Sequence, residues 1–469
     1  MSAIVWFRRD LRVHDHPALA AALASHDEIV PVFCLDDRLL HGRFASGPRT
    51  QFMLESLADL HRSLEERGGG LVVLRGRPEE ELVRLARDVS ATDVYFTREL
   101  TPYGRLRGRE FDTALEGSGL AAHAFPGLNV IDDVGALTTQ TGKPYSVFTP
   151  FYRQWVEQPR REVLPAPEQV AVPDGLDRMG AVPSLAELGL EQEVEEPMRG
   201  GEREGTTRLE SFLESGVRAY KTNHNALGED RTARLSPYLH FGCVSPRAIE
   251  ERLGTSEGEG AFRRQLCWRD FYHQVIFCFP GNAREEHQER YRGTLRWSGG
   301  DEEFAAWTEG RTGFPLVDAG MRQLRREGWM HNRARLVVGS MLTKELGVDW
   351  RRGEWWFMKL LLDGDEANNN GNWQWIASVG TDPAPFFRRM YNPASHQERF
   401  DPDGRYVRRY VPELAPVPDK YLREPWTMPA EVQEEVGCVI GRDYPAPIVD
   451  RRDARADAAE RYRAATATG

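Results

Sequence analysis

The stretch Leu361–Pro385, LLDGDEANNNGNWQWIASVGTDPAP, is the most informative part of the 469-residue chain. It combines acidic residues, three consecutive asparagines and a Trp-Gln-Trp sequence within one short span. Asn and Asp side chains compete with backbone hydrogen bonds, so the run predicts a turn or a ligand site rather than a helix interior. The apolar and aromatic residues around it disfavour a plain surface loop. Buried Asn and Asp need hydrogen-bond partners, which a polar ligand would supply.

Three other segments of the second half carry chemically useful side chains. Residues 329–335 (WMHNRAR) place an Asn and an Arg on one helical face, and we expect His331 among them to be a satisfied core residue. Residues 265–272 (QLCWRDFY) contain adjacent Trp and Arg side chains. Tyr220 and residues 231–236 (RTARLS) form a hydroxyl-and-arginine set suited to diphosphate oxygens. Each segment alone is a weak signal.

The first 130 residues alternate short apolar runs with helical patterns. Strands alternating with helices predict a parallel, doubly wound sheet, so this segment is expected to be an α/β domain. No GxGxxG follows the first run, so we expect no ordinary dinucleotide site there. The predicted strands are residues 3–8, 29–34, 71–75 and 93–97, and the clearest predicted helices are residues 17–25 and 50–68.

The middle of the chain has the composition of a linker. From Trp155 to about Gly205 the sequence is rich in Pro, Glu and Gly. We expect this segment to run over the surface between two domains. From residue 206 onward, long patterns of helical period dominate and carry most of the Trp residues, which predicts a largely helical second domain.

Composition limits the class of protein. No run of about twenty apolar residues occurs, and arginines interrupt the N-terminal apolar stretch, so we expect a cytoplasmic protein without membrane contact. The net charge of −11 disfavours indiscriminate coating of nucleic acid but permits a local basic face. The cysteines form no CxxC pair and are expected to be small buried apolar residues. They are Cys34, Cys243, Cys267, Cys278 and Cys438.

Several motifs in order resemble the DNA photolyase/cryptochrome family, most closely its bacterial class I cyclobutane-dimer photolyases. They are WFRRDLRVHDHPAL near the start, YSVFTPFYRQW at 145–155, and then WMHNRAR, DGDxANNNGNWQW and GTDPAP. The resemblance implies an α/β domain over residues 1–130, a long linker over 131–205 and an all-α FAD-binding domain over 206–469. It also implies light-dependent repair of cyclobutane pyrimidine dimers in ultraviolet-damaged DNA, by electron transfer from reduced FAD to a flipped-out dimer.

The resemblance assigns residues to the FAD pocket by motif position. Asn369 matches the Asn that faces flavin N5, where a neutral amide tolerates an anionic flavin that a carboxylate would oppose. Trp373, Trp350 and Trp297 match an electron relay from the flavin to the surface. The other implied cofactor residues are Tyr220, Thr232, Ala233, Arg234, Leu235, Ser236, Arg269, Asn332, Arg335, Asp363 and Asp365.

The resemblance also implies a lesion pocket. Trp268 and Trp375 match its aromatic walls, and Asn332 matches a polar contact. Gln265 replaces a usual Glu, as in (6-4) photolyases, and Leu336 replaces a common Met. The His pair of (6-4) enzymes is absent, because Asn332 and Leu336 occupy those places. The arginines expected to contact DNA phosphates around the pocket are Arg333, Arg388, Arg389 and Arg399.

An antenna chromophore between the domains is a further implication of the resemblance. The loop after the fourth strand has Tyr103 and Gly104 where folate-binding relatives carry Asn-Glu. This favours an 8-hydroxy-5-deazaflavin over methenyltetrahydrofolate, although an empty antenna site stays an alternative. The antenna residues expected are Cys34, Leu35, Asp36, Arg49 and Thr101.

Two other functions within the family stay open, a blue-light sensor without repair activity and a (6-4) photolyase. The short segment after the helical domain disfavours a dedicated signalling role. The iron-sulfur branch is excluded, because only Cys438 lies near the end of that domain. We expect a monomer without an obligate protein partner and without a metal site.

Overall fold

A computed structural model of the protein describes residues 2–175 and 181–467. Its sheet has five parallel strands in the order β3-β2-β1-β4-β5. The four predicted strands are confirmed. The fifth was missed, because its sequence AAHAF is mostly exposed at the sheet edge and gives no apolar run. The strands are β1 Ser2–Phe7, β2 Glu28–Leu35, β3 Val72–Arg75, β4 Ala91–Thr97 and β5 Ala121–Phe125.

Strand β1 is the buried centre of this sheet, and all six of its residues are buried. Ile4 lies opposite Val30 of β2 on one side and Val94 of β4 on the other. The strand order therefore reverses at β1, and the carboxyl end of β1 is the place where such sheets form a crevice. Arg8 and Arg9 follow β1 directly at that edge.

Residues 2–175 contain six α-helices in addition to the sheet. The predicted helix over 17–25 is found with those bounds. The second predicted helix begins earlier than expected, because the Ser46 side chain caps its N-terminus and Pro48 fits its first turn. The helices are α1 Pro17–Ser25, α2 Asp37–Leu40, α3 Gly47–Glu65, α4 Pro78–Asp88, α5 Pro102–Leu115 and α6 Phe148–Glu157.

The segment after α6 runs along both halves of the molecule. The carbonyl of Ala171 accepts a hydrogen bond from the N–H of Ile29 at 2.9 Å, beside the sheet. Further on, the N–H of Glu196 donates to the carbonyl of Arg326 at 2.7 Å, in the helical half. Residues 176–180 of the expected linker lie outside the described residues.

The second half of the chain is largely helical, as predicted. Its central helix α11 is 22 residues long and begins with a capping box made by Ser256 and Glu259. The helices are α7 Glu202–Ser215, α8 Tyr220–Asn223, α9 Ser236–His240, α10 Pro246–Glu251, α11 Glu257–Cys278, α12 Asp301–Glu309, α13 Pro315–Glu327, α14 Asn332–Ser340, α15 Trp350–Leu360, α16 Glu366–Ile376, α17 Pro393–Phe400, α18 Arg405–Tyr410, α19 Ala430–Glu435 and α20 Arg451–Ala467.

The asparagine run lies inside α16, so its predicted exclusion from a helix interior is wrong. Asn368 hydrogen-bonds the carboxylate of Asp365 at 2.6 Å, and Asn370 hydrogen-bonds the carboxylate of Glu354 at 2.8 Å. These side chains bond the helix's own N-cap and a carboxylate of α15, so they do not compete for the helix backbone. The cap and the tertiary contact together override local propensity here.

Two further expectations concern the whole chain. Four cysteines are buried and unpaired as predicted, whereas Cys278 is only half-buried. Across residues 2–175 and 181–467, no helix has the length and apolar character needed to cross a membrane.

Candidate functional site

The site is built around the start of α16. The carboxylate of Asp365 caps this helix by accepting the N–H of Asn368 at 2.8 Å. Residues 365, 369 and 373 follow one another at intervals of four, so their side chains share one face of α16. The cap therefore fixes where Asn369 and Trp373 point.

Asp363 and Arg335, predicted for one pocket, form an ion pair. The guanidinium donates twice to the carboxylate, with N···O distances of 3.1 and 2.8 Å. Its third nitrogen donates to the carbonyl of Met330 at 2.8 Å. This bidentate ion pair joins the loop before α16 to α14 and fixes the orientation of both charged groups.

His331 lies at the start of α14 and is buried. Its Nδ1 accepts the N–H of Arg333 at 3.1 Å and so caps the helix, but its Nε2 is buried without a hydrogen-bond partner. The expectation of a satisfied core histidine is therefore only half right. Burial, followed by the nearby Arg333, lowers the pKa of His331 to about 3, so the ring is neutral at physiological pH.

Asn369 and Trp373 leave polar atoms unused. The Asn369 amide nitrogen donates to the carbonyl of Glu354 at 3.0 Å, and its oxygen accepts no hydrogen bond from the described residues. The Trp373 Nε1 is buried and has no partner, while its ring packs edge-on against Phe357 with centroids 5.0 Å apart. Buried donors without partners are rare, which suits a position beside a ligand.

The three predicted relay tryptophans share one hydrophobic core. Trp350 and Trp373 are members of that core, and the half-buried Trp297 packs against it. The fully buried Trp350 donates its Nε1 to the carboxylate of Glu286 at 3.4 Å. The guanidinium of Arg351 lies 4.7 Å from the Trp350 ring centroid and pairs with the same Glu286 at 2.9 Å.

The arginine side chains of the 231–236 segment are already paired. Arg231 contacts Glu229 at 2.7 Å, and Arg234 contacts Asp230 at 2.8 Å and Glu327 at 2.9 Å. Carboxylates of the chain thus already pair with these guanidinium groups, and their contact with a diphosphate stays a prediction.

The backbone of the same segment supplies donors that the sequence did not reveal. Arg234 has a left-handed φ of +47°, and Leu235 follows in the right-handed helical region. Successive residues of opposite hand turn their N–H groups toward one concavity that binds anions. The N–H groups of residues 232–236 have no partner among the described residues, and the Thr232 hydroxyl is buried and unpartnered.

The other residues expected beside the cofactor differ in their burial and in their contacts. Tyr220 is buried edge-on against Phe262, and Ser236 accepts the Nε1 of Trp329 at 3.3 Å. Ala233 and Leu235 are buried. Arg269 donates to the carbonyls of Leu128 and Leu239, so its side chain joins α11 to the loop after β5 and to α9.

The predicted lesion-pocket residues lie on three helices that pack together. Helices α11 and α14 both contact α16. Gln265 and Asn332 are exposed, whereas Trp268, Leu336 and Trp375 are half-buried. Amide groups and apolar surface thus face the solvent from neighbouring helices, which is the composition of a binding pocket.

Trp268 has a fixed orientation. Its indole lies flat on Phe148, with ring centroids 3.6 Å and planes 3° apart. Phe148 belongs to α6, within the range expected to be linker. Sequence reasoning gave Phe148 no role, although it lies in the quoted YSVFTPFYRQW motif.

The predicted phosphate contacts divide into two groups. Arg388 and Arg399 are exposed, and the half-buried Arg333 holds the side-chain oxygen of Asn225 at 2.5 Å. Arg389 is 2% exposed and is occupied by Asp382 at 2.5 Å and by the carbonyl of Trp375 at 2.8 Å. In this arrangement the Arg389 side chain supports Trp375, and its predicted phosphate contact stays a prediction.

The expected antenna residues lie at the carboxyl edge of the sheet. Cys34 and Leu35 are almost fully buried, and burial raises the pKa of the Cys34 thiol to about 12. Asp36 caps α2 and accepts the hydroxyl of Tyr103 at 2.8 Å, and Thr101 caps α5. Arg49 donates to the carbonyls of Phe44 and Met358.

Sequence reasoning missed the groups that surround Asp365. Arg9 donates to the carboxylate, with His273 at 3.4 Å and His240 at 3.8 Å. Arg9 lies in the quoted WFRRDLR motif, but a contact 356 residues away along the chain leaves no local pattern. No periodicity could have indicated it.

The residues present fit the FAD that the resemblance implies. The concave set of free N–H groups over 232–236 suits a diphosphate. The free Asn369 oxygen and the unpartnered Trp373 Nε1 offer further polar atoms on α16. A large ligand with phosphate, hydroxyl and ring nitrogen groups would satisfy these positions.

Comparisons with known proteins agree with this geometry. The family description "DNA photolyase" matches residues 3–170, and "FAD binding domain of DNA photolyase" matches residues 262–464. A deoxyribodipyrimidine photo-lyase of Streptomyces griseus is 41% identical over 458 residues, 97% of each chain. A bacterial class III photolyase of Agrobacterium tumefaciens superposes with a TM-score of 0.92 at 34% identity, over 99% of this chain and 98% of that one. A cryptochrome of Synechocystis superposes with a TM-score of 0.90 at 30% sequence identity, over 98% of each chain.

Proposed function

The chain belongs to the DNA photolyase/cryptochrome family, and from that premise we propose that it repairs cyclobutane pyrimidine dimers in ultraviolet-damaged DNA as a light-driven deoxyribodipyrimidine photo-lyase. The observation that supports this best is the open, amide- and indole-lined surface of α11, α14 and α16. The same α16 carries Asn369 and Trp373 on its inner side. Lesion and cofactor sites are thereby neighbours on one helix.

The chain's own residues would hold FAD in place, with the diphosphate on the free N–H groups of residues 232–236. The neutral Asn369 amide faces the ring without adding negative charge. Bound in its reduced form, FAD would lend an electron to the dimer when it absorbs light and would take that electron back once the dimer has split into two pyrimidines. The ion pair between Arg335 and Asp363 would hold α14 and the loop before α16 in fixed positions around the cofactor.

The protein's part in the reaction is to receive a dimer that has left the base stack. Unstacking a damaged base costs a few kcal/mol, less than for an intact pair, and apolar walls offset that cost. Trp268 and Trp375 provide these walls, and the Gln265 and Asn332 amides can donate to and accept from pyrimidine edges. A closed fit also keeps water away from the reacting groups.

The three tryptophans provide a route for electrons from the surface to the cofactor pocket. An electron passes from the half-buried Trp297 to the buried Trp350 and then to Trp373. Oxidised Trp350 carries positive charge, which the adjacent Glu286 carboxylate stabilises and Arg351 opposes. An external reductant at the surface restores Trp297.

Finer features are part of the same proposal. An 8-hydroxy-5-deazaflavin is the antenna chromophore that best matches Tyr103 and Gly104, which lie in the first turn of α5. Undamaged DNA is a weak partner, because only a local set of arginines opposes the overall charge of −11. The protein acts as a cytoplasmic monomer.

The decisive experiment follows dimers in light and in darkness. Protein reconstituted with reduced FAD is mixed with an oligonucleotide that carries one cyclobutane thymine dimer, and with a second one that carries a (6-4) photoproduct. We expect loss of the cyclobutane dimer under illumination alone and no change in the (6-4) product. Dimers that persist in light, despite bound reduced flavin, would instead favour a blue-light sensor. Loss of the (6-4) product would reassign the substrate.

A further inference from the structure

An arginine of the α/β domain reaches into the helical domain beside the proposed flavin pocket. Arg9 follows β1, and its guanidinium donates to the carboxylate of Asp365. Its Nε also donates to the carbonyl of His240 at 3.1 Å, and an Nη lies 3.2 Å from the His240 Nδ1. The side chains of Arg9 and Asp365 are only 17% and 6% exposed. The contact is therefore a largely buried ion pair between domains.

Asp365 connects this ion pair to α16. One carboxylate oxygen accepts Arg9, while the other accepts both the N–H and the side-chain amide of Asn368, at 2.8 and 2.6 Å. The carboxylate is thus shared between the second domain's helix cap and the first domain's arginine. A shift of the Asp365 carboxylate would therefore move the first turn of α16, and with it Asn369, which lies on the same helix face as Trp373.

A second arginine of the α/β domain holds the same loop from another side. Arg49 of α3 donates to the carbonyl of Met358 at the end of α15. A Cβ placed on Gly364 would lie 2.4 Å from an Arg49 nitrogen, so the loop and this guanidinium are in close contact. The segment between Asp363 and Asp365 is thereby enclosed by two cations from the first domain.

The charges around Asp365 make Arg9 the decisive partner. Burial alone would raise the pKa of Asp365, but the Arg9 cation, aided by the His273 ring nitrogen 3.4 Å away, holds it well below its usual range. Burial, followed by Arg9, lowers the pKa of His240 to about 4, and burial likewise lowers that of His273, so both rings are neutral. Without Arg9 the carboxylate would face neutral imidazoles. The other charged groups that act on this cluster are Arg49, Arg269, Glu366 and Glu99.

We infer that Arg9 is a positioning residue, which acts through Asp365 to hold the start of α16 and thereby places Asn369 and Trp373 against the flavin. The α/β domain would thus have a role in the flavin site that does not depend on an antenna chromophore. The inference rests on the proposed function, because it assumes that α16 borders the flavin.

The first test measures FAD affinity of the full-length protein by flavin fluorescence. Breaking a buried ion pair from one side is strongly unfavourable, so Arg9→Ala should weaken FAD binding about tenfold or more and alter the flavin absorption bands. Arg9→Lys, which keeps the charge, should recover part of the loss. Arg203→Ala is the matched control, because Arg203 joins α7 to Glu66 of α3 at 2.6 Å without touching the pocket. It should leave binding unchanged.

Each outcome has a separate meaning. If Arg9→Ala and Arg9→Lys bind FAD with wild-type affinity and spectrum, the inference is overturned. If Arg9→Lys is as defective as Arg9→Ala, or Arg203→Ala is equally defective, Arg9 has only a general structural role. If the wild-type protein itself binds no FAD, the proposed function fails instead.

A pH profile separates positioning from general destabilisation. Removing Arg9 removes a cation that lowers the pKa of His240, so that pKa rises in Arg9→Ala. Protonated His240 can then replace part of the lost charge, so FAD affinity of Arg9→Ala should recover as the pH is lowered, and this recovery should begin at a higher pH than any change in the wild type. The recovery should vanish in Arg9→Ala/His240→Ala. Parallel profiles for Arg9→Ala and the wild type would overturn the inference.

Discussion

At the scale of single residues, the lesion pocket that we propose depends on how firmly its two aromatic walls, Trp268 and Trp375, are held. The Trp268 indole is stacked on Phe148 and touches Phe271 edge-on, with centroids 5.6 Å apart. Arg389 lies over the Trp375 ring at 4.1 Å and also binds the carbonyl of that residue. Both side chains are ordered by the fold, so a bound dimer does not bear the cost of ordering them.

Replacing Trp268 by Ala should weaken binding of dimer-containing DNA by about tenfold or more, because base–aromatic stacking contributes about 1–3 kcal/mol per base. Binding of undamaged DNA should change little, since phosphate contacts dominate it. Fluorescence anisotropy with matched damaged and undamaged duplexes measures both. The control is Trp355→Ala, an exposed indole on α15. Equal losses for both DNAs in Trp268→Ala would contradict the assigned pocket.

Residue identities at motif positions could be predicted from the sequence, but their partners often could not. Arg335 and Asp363 do meet in space, as one shared pocket requires. Arg389 looked equivalent to Arg388 because nothing local distinguishes a buried arginine from an exposed one. Asp382 and the Trp375 carbonyl, which make the difference, come together only in the folded chain.

At the scale of elements, the site depends on the close packing of α16 against α11. Gly371 of α16 allows this approach, because a Cβ there would lie 2.1 Å from the Tyr272 ring. Tyr272 in turn packs beside Trp268, with ring centroids 5.7 Å apart. The distance between the two helices therefore sets the distance between the cofactor and lesion sites.

A pair of identical substitutions should have opposite effects on stability. Gly371→Ala forces a clash in the α11–α16 contact and should lower the free energy of unfolding by about 1–3 kcal/mol, with weaker FAD binding. Gly260→Ala, in α11 with no atom within 4 Å of the added Cβ, should raise it by up to about 1 kcal/mol. Urea unfolding measures both. A Gly371→Ala protein as stable as the wild type would contradict the packing described.

Elements with strong periodicity could be predicted, and those set by tertiary contacts could not. Strands β1 to β4 each contain a buried apolar run, whereas β5 is a largely exposed edge strand without such a run. Helix α16 is rich in poor helix formers, and two of its asparagines are bonded by its N-cap Asp365 and by Glu354 of α15. Propensity alone gives the wrong result for such a segment.

At the scale of the whole molecule, the two domains form one functional unit around the loop before α16. The linker contacts both halves, and Arg9 and Arg49 of the α/β domain reach that loop from two sides. A protein with a charge of −11 can still bind DNA locally, because Arg388 and Arg399 are exposed near the pocket. The sequence order of the motifs predicts the overall architecture, but the domain contact itself is visible only in three dimensions.

The most direct measurement is a crystal structure of the protein with FAD and a duplex that contains one cyclobutane thymine dimer. We predict a dimer turned out of the helix and seated between Trp268 and Trp375, with the Asn369 amide against the flavin ring and the diphosphate on the N–H groups of residues 232–236. A dimer that stays stacked in the duplex, or FAD bound away from α16, would contradict the account.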